Sequence, residues 1–125
     1  MAKILLVDDE AEIVFLTKKV LTEDGHDVSV AVSGAQCLEI LETELPDLIL
    51  LDIMMSGING WEIGKSIKNN PRTKDIPVVT FTVRSSKDSV EKSLNYSKAT
   101  AQINKPFKID ELLTIVNTVL KDSKA

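Results

Sequence analysis

Cysteine, histidine and long apolar runs are scarce in this chain of 125 residues and net positive charge is absent, and each shortage excludes a class of protein. A single cysteine, Cys37, rules out an internal disulfide and any cysteine cluster for a metal. It reads as a small buried helix residue rather than a reactive thiol. The one histidine, His26, sits beside Gly25 in a loop and is assigned no catalytic role. No stretch approaches the roughly 18 apolar residues of a membrane span, and Met1-Ala2-Lys3 runs straight into a strand-like segment with no signal peptide. A cytoplasmic location and no membrane contact are therefore expected. A net charge of −4 argues against a nucleic-acid or anionic-lipid partner. No repeat, low-complexity segment or linker interrupts the chain. With 43% hydrophobic and 27% charged residues, it has globular composition and enough length for one domain, residues 1–125 with a core of about 3–121.

The central stretch is Asp47-Leu48-Ile49-Leu50-Leu51-Asp52, four large apolar residues ending in a carboxylate. Such a run suits a strand covered on both faces, as in the middle of a parallel sheet. Around it the pattern alternates. Lys3 to Val7 is a short buried strand ended by Asp8-Asp9-Glu10. A helix follows over Ala11 to about Glu23, with Ile13, Leu16, Val20 and Leu21 as its apolar stripe and Gly25 as its stop. Val28 to Val32 is a second strand, and Ser33 with Gln36 forms a capping box for a helix reaching about Glu44. After the central strand, a helix spans roughly Trp61 to Asn69. Val78 to Thr82 is a fourth strand, Lys87 to Tyr96 a weak helix, Ala101 to Asn104 a fifth strand, and Ile109 to Lys121 a last helix. Five βα units point to an α/β fold, a parallel sheet with helices on both faces.

In the flavodoxin-like strand order 2-1-3-4-5, the first and third strands flank the point where the order reverses. Asp8 and Asp9 then lie beside Asp52, and Thr82 and Lys105 line the same edge. Three carboxylates so close repel one another unless some protonate or share a cation. An all-oxygen site prefers a hard ion such as Mg²⁺. Asp52 is then placed as a nucleophile toward phosphorus, giving an aspartyl phosphate. The metal and the Lys105 ammonium neutralise developing charge, and Thr82 donates to a phosphoryl oxygen. A carboxylate nucleophile carries no proton to remove, so no general base is needed.

Asp8-Asp9, then Leu50-Leu51-Asp52-Ile53-Met54-Met55 with Gly60, then Phe81-Thr82 and Lys105-Pro106-Phe107, together resemble the receiver domain of two-component response regulators over essentially the whole chain. The resemblance implies a (βα)5 three-layer sandwich and a single-domain regulator of the chemotaxis type. It implies that Asp52 accepts phosphate from a histidine kinase or phosphotransfer protein and that a partner-binding face then switches toward an output protein. It further implies that Mg²⁺, with Mn²⁺ as substitute, is held by Asp9 and Asp52, by the Met54 backbone carbonyl, and by Asp8 through water. A cis peptide between Lys105 and Pro106, and a homodimer through the face of the fourth helix, fifth strand and fifth helix, are also implied. On the same likeness the chain is expected to catalyse its own phosphorylation and slow dephosphorylation without being a multiple-turnover enzyme.

The chain departs from that pattern at several positions. Ser56 stands where the family usually has Pro, and Val83 where it has a small residue. Gln102 replaces an aromatic switch residue, and Lys98-Ala99 replaces Gly-Ala. Arg84 lies where the family tunes dephosphorylation. A binding-only pseudo-receiver is the alternative that Gln102 and Val83 favour. A small phosphatase resembles Asp-x-Asp at its first strand, and a flavodoxin needs a Ser/Thr/Gly-rich loop there. Taken alone, Asp8-Asp9-Glu10 would be a helix start, and Lys65, Lys68, Arg72 and Lys74 a solvated basic face. Trp61 is read as packing.

Overall fold

The computed structural model describes residues 2–53, 60–82, 101–104 and 107–123. Among these, the elements run β1 (Lys3–Val7), α1 (Ala11–Glu23), β2 (Asp27–Ala31), α2 (Gly34–Thr43), β3 (Leu48–Asp52), α3 (Gly60–Asn69), β4 (Val78–Thr82), β5 (Ala101–Asn104) and α4 (Ile109–Ser123). The strands form one sheet in the order β2-β1-β3-β4-β5, with every pairing parallel as the alternation of strand and helix implies. The weak helix expected over Lys87 to Tyr96 lies outside the described residues.

The pleat divides the apolar runs between two cores. Ile4 and Leu6 of β1 and Leu48 and Leu50 of β3 face one side, packed with Val20 and Leu21 of α1 and Leu112 and Val116 of α4. Leu5, Val7, Ile49 and Leu51 face the other, against Cys37 and Leu41 of α2 and Ile67 of α3. All five residues of β3 are buried, which is why its sequence is a continuous apolar run rather than an alternating one. Fully burying each such side chain contributes roughly 1.5–3 kcal/mol.

Local chemistry sets the ends of the elements. The Ser33 hydroxyl accepts from the Gln36 N–H at 3.1 Å, and the Gln36 side chain reaches back to the Val32 N–H at 2.8 Å. That second bond is why β2 ends at Ala31, one residue short of the sequence expectation: the Val32 N–H is engaged by α2's cap. At the end of α1, Gly25 has φ 92°, a conformation in which a Cβ would be strained. Its N–H bonds the Thr22 carbonyl and the His26 N–H bonds the Leu21 carbonyl, closing a Schellman motif. His26 Nε2 lies 3.1 Å from Asn117 Oδ1, so the turn is tied to α4.

Two expectations are corrected. The buried positions of α1 are Thr17, Val20 and Leu21, whereas Leu16 is 38% exposed. The inward stripe passes through residue 17, and a threonine occupies it, so apolar character alone misplaced the face by one position. Lys68 is not part of a solvated basic face. Its ammonium donates to the carbonyls of Lys74 and Ile76, tying the turn after α3 back to the helix. Burial pushes its pKa down, and Asp75 partly opposes that shift.

Candidate functional site

The site is built at the carboxyl edge of the sheet, where β1 separates β2 from β3 and the chain crosses from one face to the other. Val7 pairs with both Ala31 and Leu51. The Asp8 N–H then bonds the Ala31 carbonyl at 3.0 Å, extending the ladder by one residue and bringing Asp8 beside Asp52. Their exposures, 0% for Asp8 and 2% for Asp52, leave two carboxyl groups almost wholly withdrawn from water. The Glu10 N–H donates to Asp8 Oδ1 at 3.0 Å, an Asx turn that folds the chain back at the head of α1. Carboxylate oxygens of Asp8, Glu10 and Asp52 consequently lie within 4.8 Å of one another. Asp9 is exposed and stands outside this group.

Three carboxylates at this separation, two of them buried, are mutually repulsive when ionised, and a cation between them removes the cost. The donor set is all oxygen, which suits a hard divalent ion rather than zinc or copper. The residues present therefore fit Mg²⁺. Glu10 is the residue that sequence reasoning passed over, having read it only as favourable charge at a helix start. The available signal was the third acid in the run. Glu10 is the N-cap of α1 but makes no side-chain cap bond; its carboxylate joins the acidic group instead.

The neighbouring strands align the rest of the edge. Asp52 pairs with Phe81, and the Ile53 N–H bonds the Phe81 carbonyl at 3.2 Å, so β3 and β4 stay joined just past Asp52. Thr82, the next residue, ends β4 on the same edge and pairs with Asn104 of β5. Phe107 stacks on Phe81 with ring centroids 5.5 Å apart and planes 21° from parallel. Asn104 and Phe107, which flank Lys105 and Pro106 in the sequence, are thus each fixed against β4. Gln102 is half-buried on β5 opposite Thr80. Lys105, Met54, Val83 and Arg84 lie outside the described residues, as do Pro106, Ser56 and Lys98-Ala99.

The doubly wound sheet and the carboxylates at its reversal point define a flavodoxin-like domain with an acidic, cation-fitting edge. Within that class the chain belongs to the response regulator receiver domain family, whose model matches residues 4–117. It is 36% identical over 118 residues to sporulation initiation phosphotransferase F of Bacillus subtilis, covering 94% of this chain and 93% of that protein. It is 37% identical over 123 residues to the transcriptional regulatory protein CpxR of Escherichia coli, covering 98% of this chain and 51% of CpxR. With response regulator PleD of Caulobacter vibrioides it shares 42% identity over 81 residues, 65% of this chain but 18% of PleD. The chain thus spans about half or less of several curated relatives it matches. Among solved structures, a two-component response regulator from Clostridium difficile superposes with a TM-score of 0.92 at 26% identity, covering 100% of both chains. Chemotaxis response regulator CheY4 of Vibrio cholerae gives 0.89 at 28% identity, covering 95% of this chain and 98% of that one.

Membership supports phosphoacceptor signalling in a two-component system as the general role. Receiver domains as a family bind Mg²⁺ at an acidic pocket, interact with histidine kinases and output domains, and catalyse their own phosphorylation and slow dephosphorylation. No helix among the described residues is long and apolar enough to cross a membrane.

Proposed function

We propose that this chain, residues 1–125 acting as one receiver unit in the cytoplasm, is a phosphoacceptor switch with Asp52 as the accepting residue. The observation that carries the reading is the group of Asp8, Glu10 and Asp52 at the reversal point of the sheet. A buried carboxylate there is a nucleophile that needs no base, with two further carboxylates to hold a cation beside it. The Asp52 oxygen attacks the phosphorus of a phosphohistidine on a histidine kinase or phosphotransfer protein. The N–P bond breaks, its electron pair stays on the imidazole nitrogen, which takes a proton from solvent, and an O–P bond forms. When bound, Mg²⁺ (or Mn²⁺) supplies neutralisation of the charge on the phosphoryl oxygens. Asp8, Glu10 and Asp52 are positioned to hold it; Asp9 and the Met54 carbonyl are further ligands that the family pattern suggests.

Lys105 serves as the cationic partner of the phosphoryl group, and the Thr82 hydroxyl as its hydrogen-bond donor. Gln102, Val83 and Arg84 tune the response, with Gln102 replacing an aromatic read-out by a polar one. An output protein then reads the phosphorylated form. The test is incubation with acetyl phosphate and with a phosphorylated histidine-kinase domain, each with and without Mg²⁺, followed by intact-mass spectrometry. The expected result is gain of one phosphoryl group that needs Mg²⁺ and is lost in Asp52→Asn. Equal incorporation in Asp52→Asn, or none from either donor, would overturn the assignment.

A further inference from the structure

Two exposed features on opposite faces of the sheet are complementary to each other, and neither belongs to the acidic edge. On α1, Phe15 is 72% exposed, with Glu12 three residues before it and Lys19 four after, both exposed. Helical spacing sets these three on the outward face opposite Thr17, Val20 and Leu21, in a row about 10 Å long. Burying an aromatic ring of this kind removes a large apolar area from water, the usual character of an interface anchor.

On the other side of the sheet, a cleft of about 280 Å³ opens between α2 and the end of α3. Leu38, Leu41 and Ile67 contribute its apolar lining, and Glu42 and Arg72 its charges. Among the described residues, neither the Glu42 carboxylate nor the Arg72 guanidinium has an ion-pair partner. The cleft therefore offers an apolar floor with one unpaired charge of each sign, and α1 offers an aromatic ring flanked by one charge of each sign.

We propose that α1 of one copy docks Phe15 into the α2–α3 cleft of a second copy, Glu12 meeting Arg72 and Lys19 meeting Glu42. Because α1 and the cleft lie on opposite faces of one sheet, no copy fills its own cleft. The contact is heterologous, each added copy leaves one ring and one cleft free, and association runs on into short chains rather than stopping at a dimer. One aromatic anchor gives less than a standard-size interface, so the affinity is weak, on the order of 100 μM. The inference is independent of the phosphoacceptor reading. It has one consequence for it: docking covers the outward face of the helix headed by Glu10, so association and access to that side of the acidic edge compete.

Sedimentation velocity on the 125-residue chain from about 10 μM to about 1 mM spans the expected affinity. The average mass rises with concentration beyond that of a dimer. Phe15→Ser and Leu38→Asp, both at exposed positions, each stay monomeric with unchanged far-ultraviolet circular dichroism. Mixed one to one, they form a heterodimer and nothing larger, because one retains only its cleft and the other only its ring. Arg72→Glu weakens association about tenfold, and adding Glu12→Arg to the same chain restores it. If Leu38→Asp misfolds, Arg72→Glu replaces it, and its mixture with Phe15→Ser then associates about tenfold more tightly than Arg72→Glu alone. A wild-type chain monomeric throughout, a mixture that stays monomeric, or a Phe15→Ser chain that still associates would each overturn the proposal.

Discussion

Asp8 and Asp52 are carboxyl groups from which water has been nearly removed, and Glu10 closes the group from the solvent side. Their mutual repulsion is a stability cost in the absence of a cation, and binding of a cation to the folded chain alone converts it into a gain. Adding MgCl₂ is expected to raise the thermal midpoint, by the equivalent of about 2.7 kcal/mol at a hundredfold excess over the dissociation constant. Glu10→Gln should shift the Mg²⁺ titration to higher concentration, and Asp52→Asn should stabilise the cation-free protein while abolishing most of the Mg²⁺ effect. Differential scanning calorimetry across a Mg²⁺ series checks both. Asp8 and Asp52 were legible in the sequence because each directly follows or ends an apolar strand. Glu10 was not, since an acid at a helix start has a sufficient reason to be there. The closeness of its carboxylate to those of Asp8 and Asp52, with no cap bond made to the helix, shows that the side chain joins the acidic group.

At the scale of elements, the chemistry of the ends was read more reliably than the faces. Ser33 with Gln36 announced the start of α2, and the hydroxyl accepts the Gln36 N–H as that pattern requires. Ser33→Ala is expected to cost about 1 kcal/mol, measured as a lower urea midpoint with unchanged slope. The inward face of α1 was harder to read because Thr17 occupies a core position, and a threonine gives hydropathy patterning no signal. Lys68 was harder still. Its long apolar stem lets a charged residue turn inward and satisfy two turn carbonyls, which composition cannot distinguish from a solvated lysine. The strand order itself was recoverable, since βα alternation and the apolar run of β3 leave few alternatives.

For the molecule as a whole, two groups among the described residues link stability to proton binding with opposite effect. Burial raises the Cys37 thiol from its ordinary 9.0 to about 12, the unfolded chain therefore ionises it first, and stability falls as pH climbs above 9. By pH 10 this loss is about 1.4 kcal/mol. Lys68 acts the other way. Its pKa is lowered on folding, so the unfolded chain holds its proton longer and stability rises with pH toward 10.5. Comparing urea midpoints of the wild type and Cys37→Ala between pH 8 and about 10.5 separates the two. The wild type is expected to lose its initial advantage over the variant as pH rises, and a constant difference would show that the thiol is not shielded.

The sheet order also governs how the chain meets itself as it is made. β1 lies between β2 and β3, and Ile4 finds its central partner only in Leu48. At roughly 5–20 residues per second, a ribosome leaves the β1 edge without that neighbour for several seconds. Through that interval a strand of Ile4, Leu5, Leu6 and Val7 is open to any extended segment nearby. The residues that make the sheet's centre stable are thus the ones for which nascent-chain chaperones have the longest use.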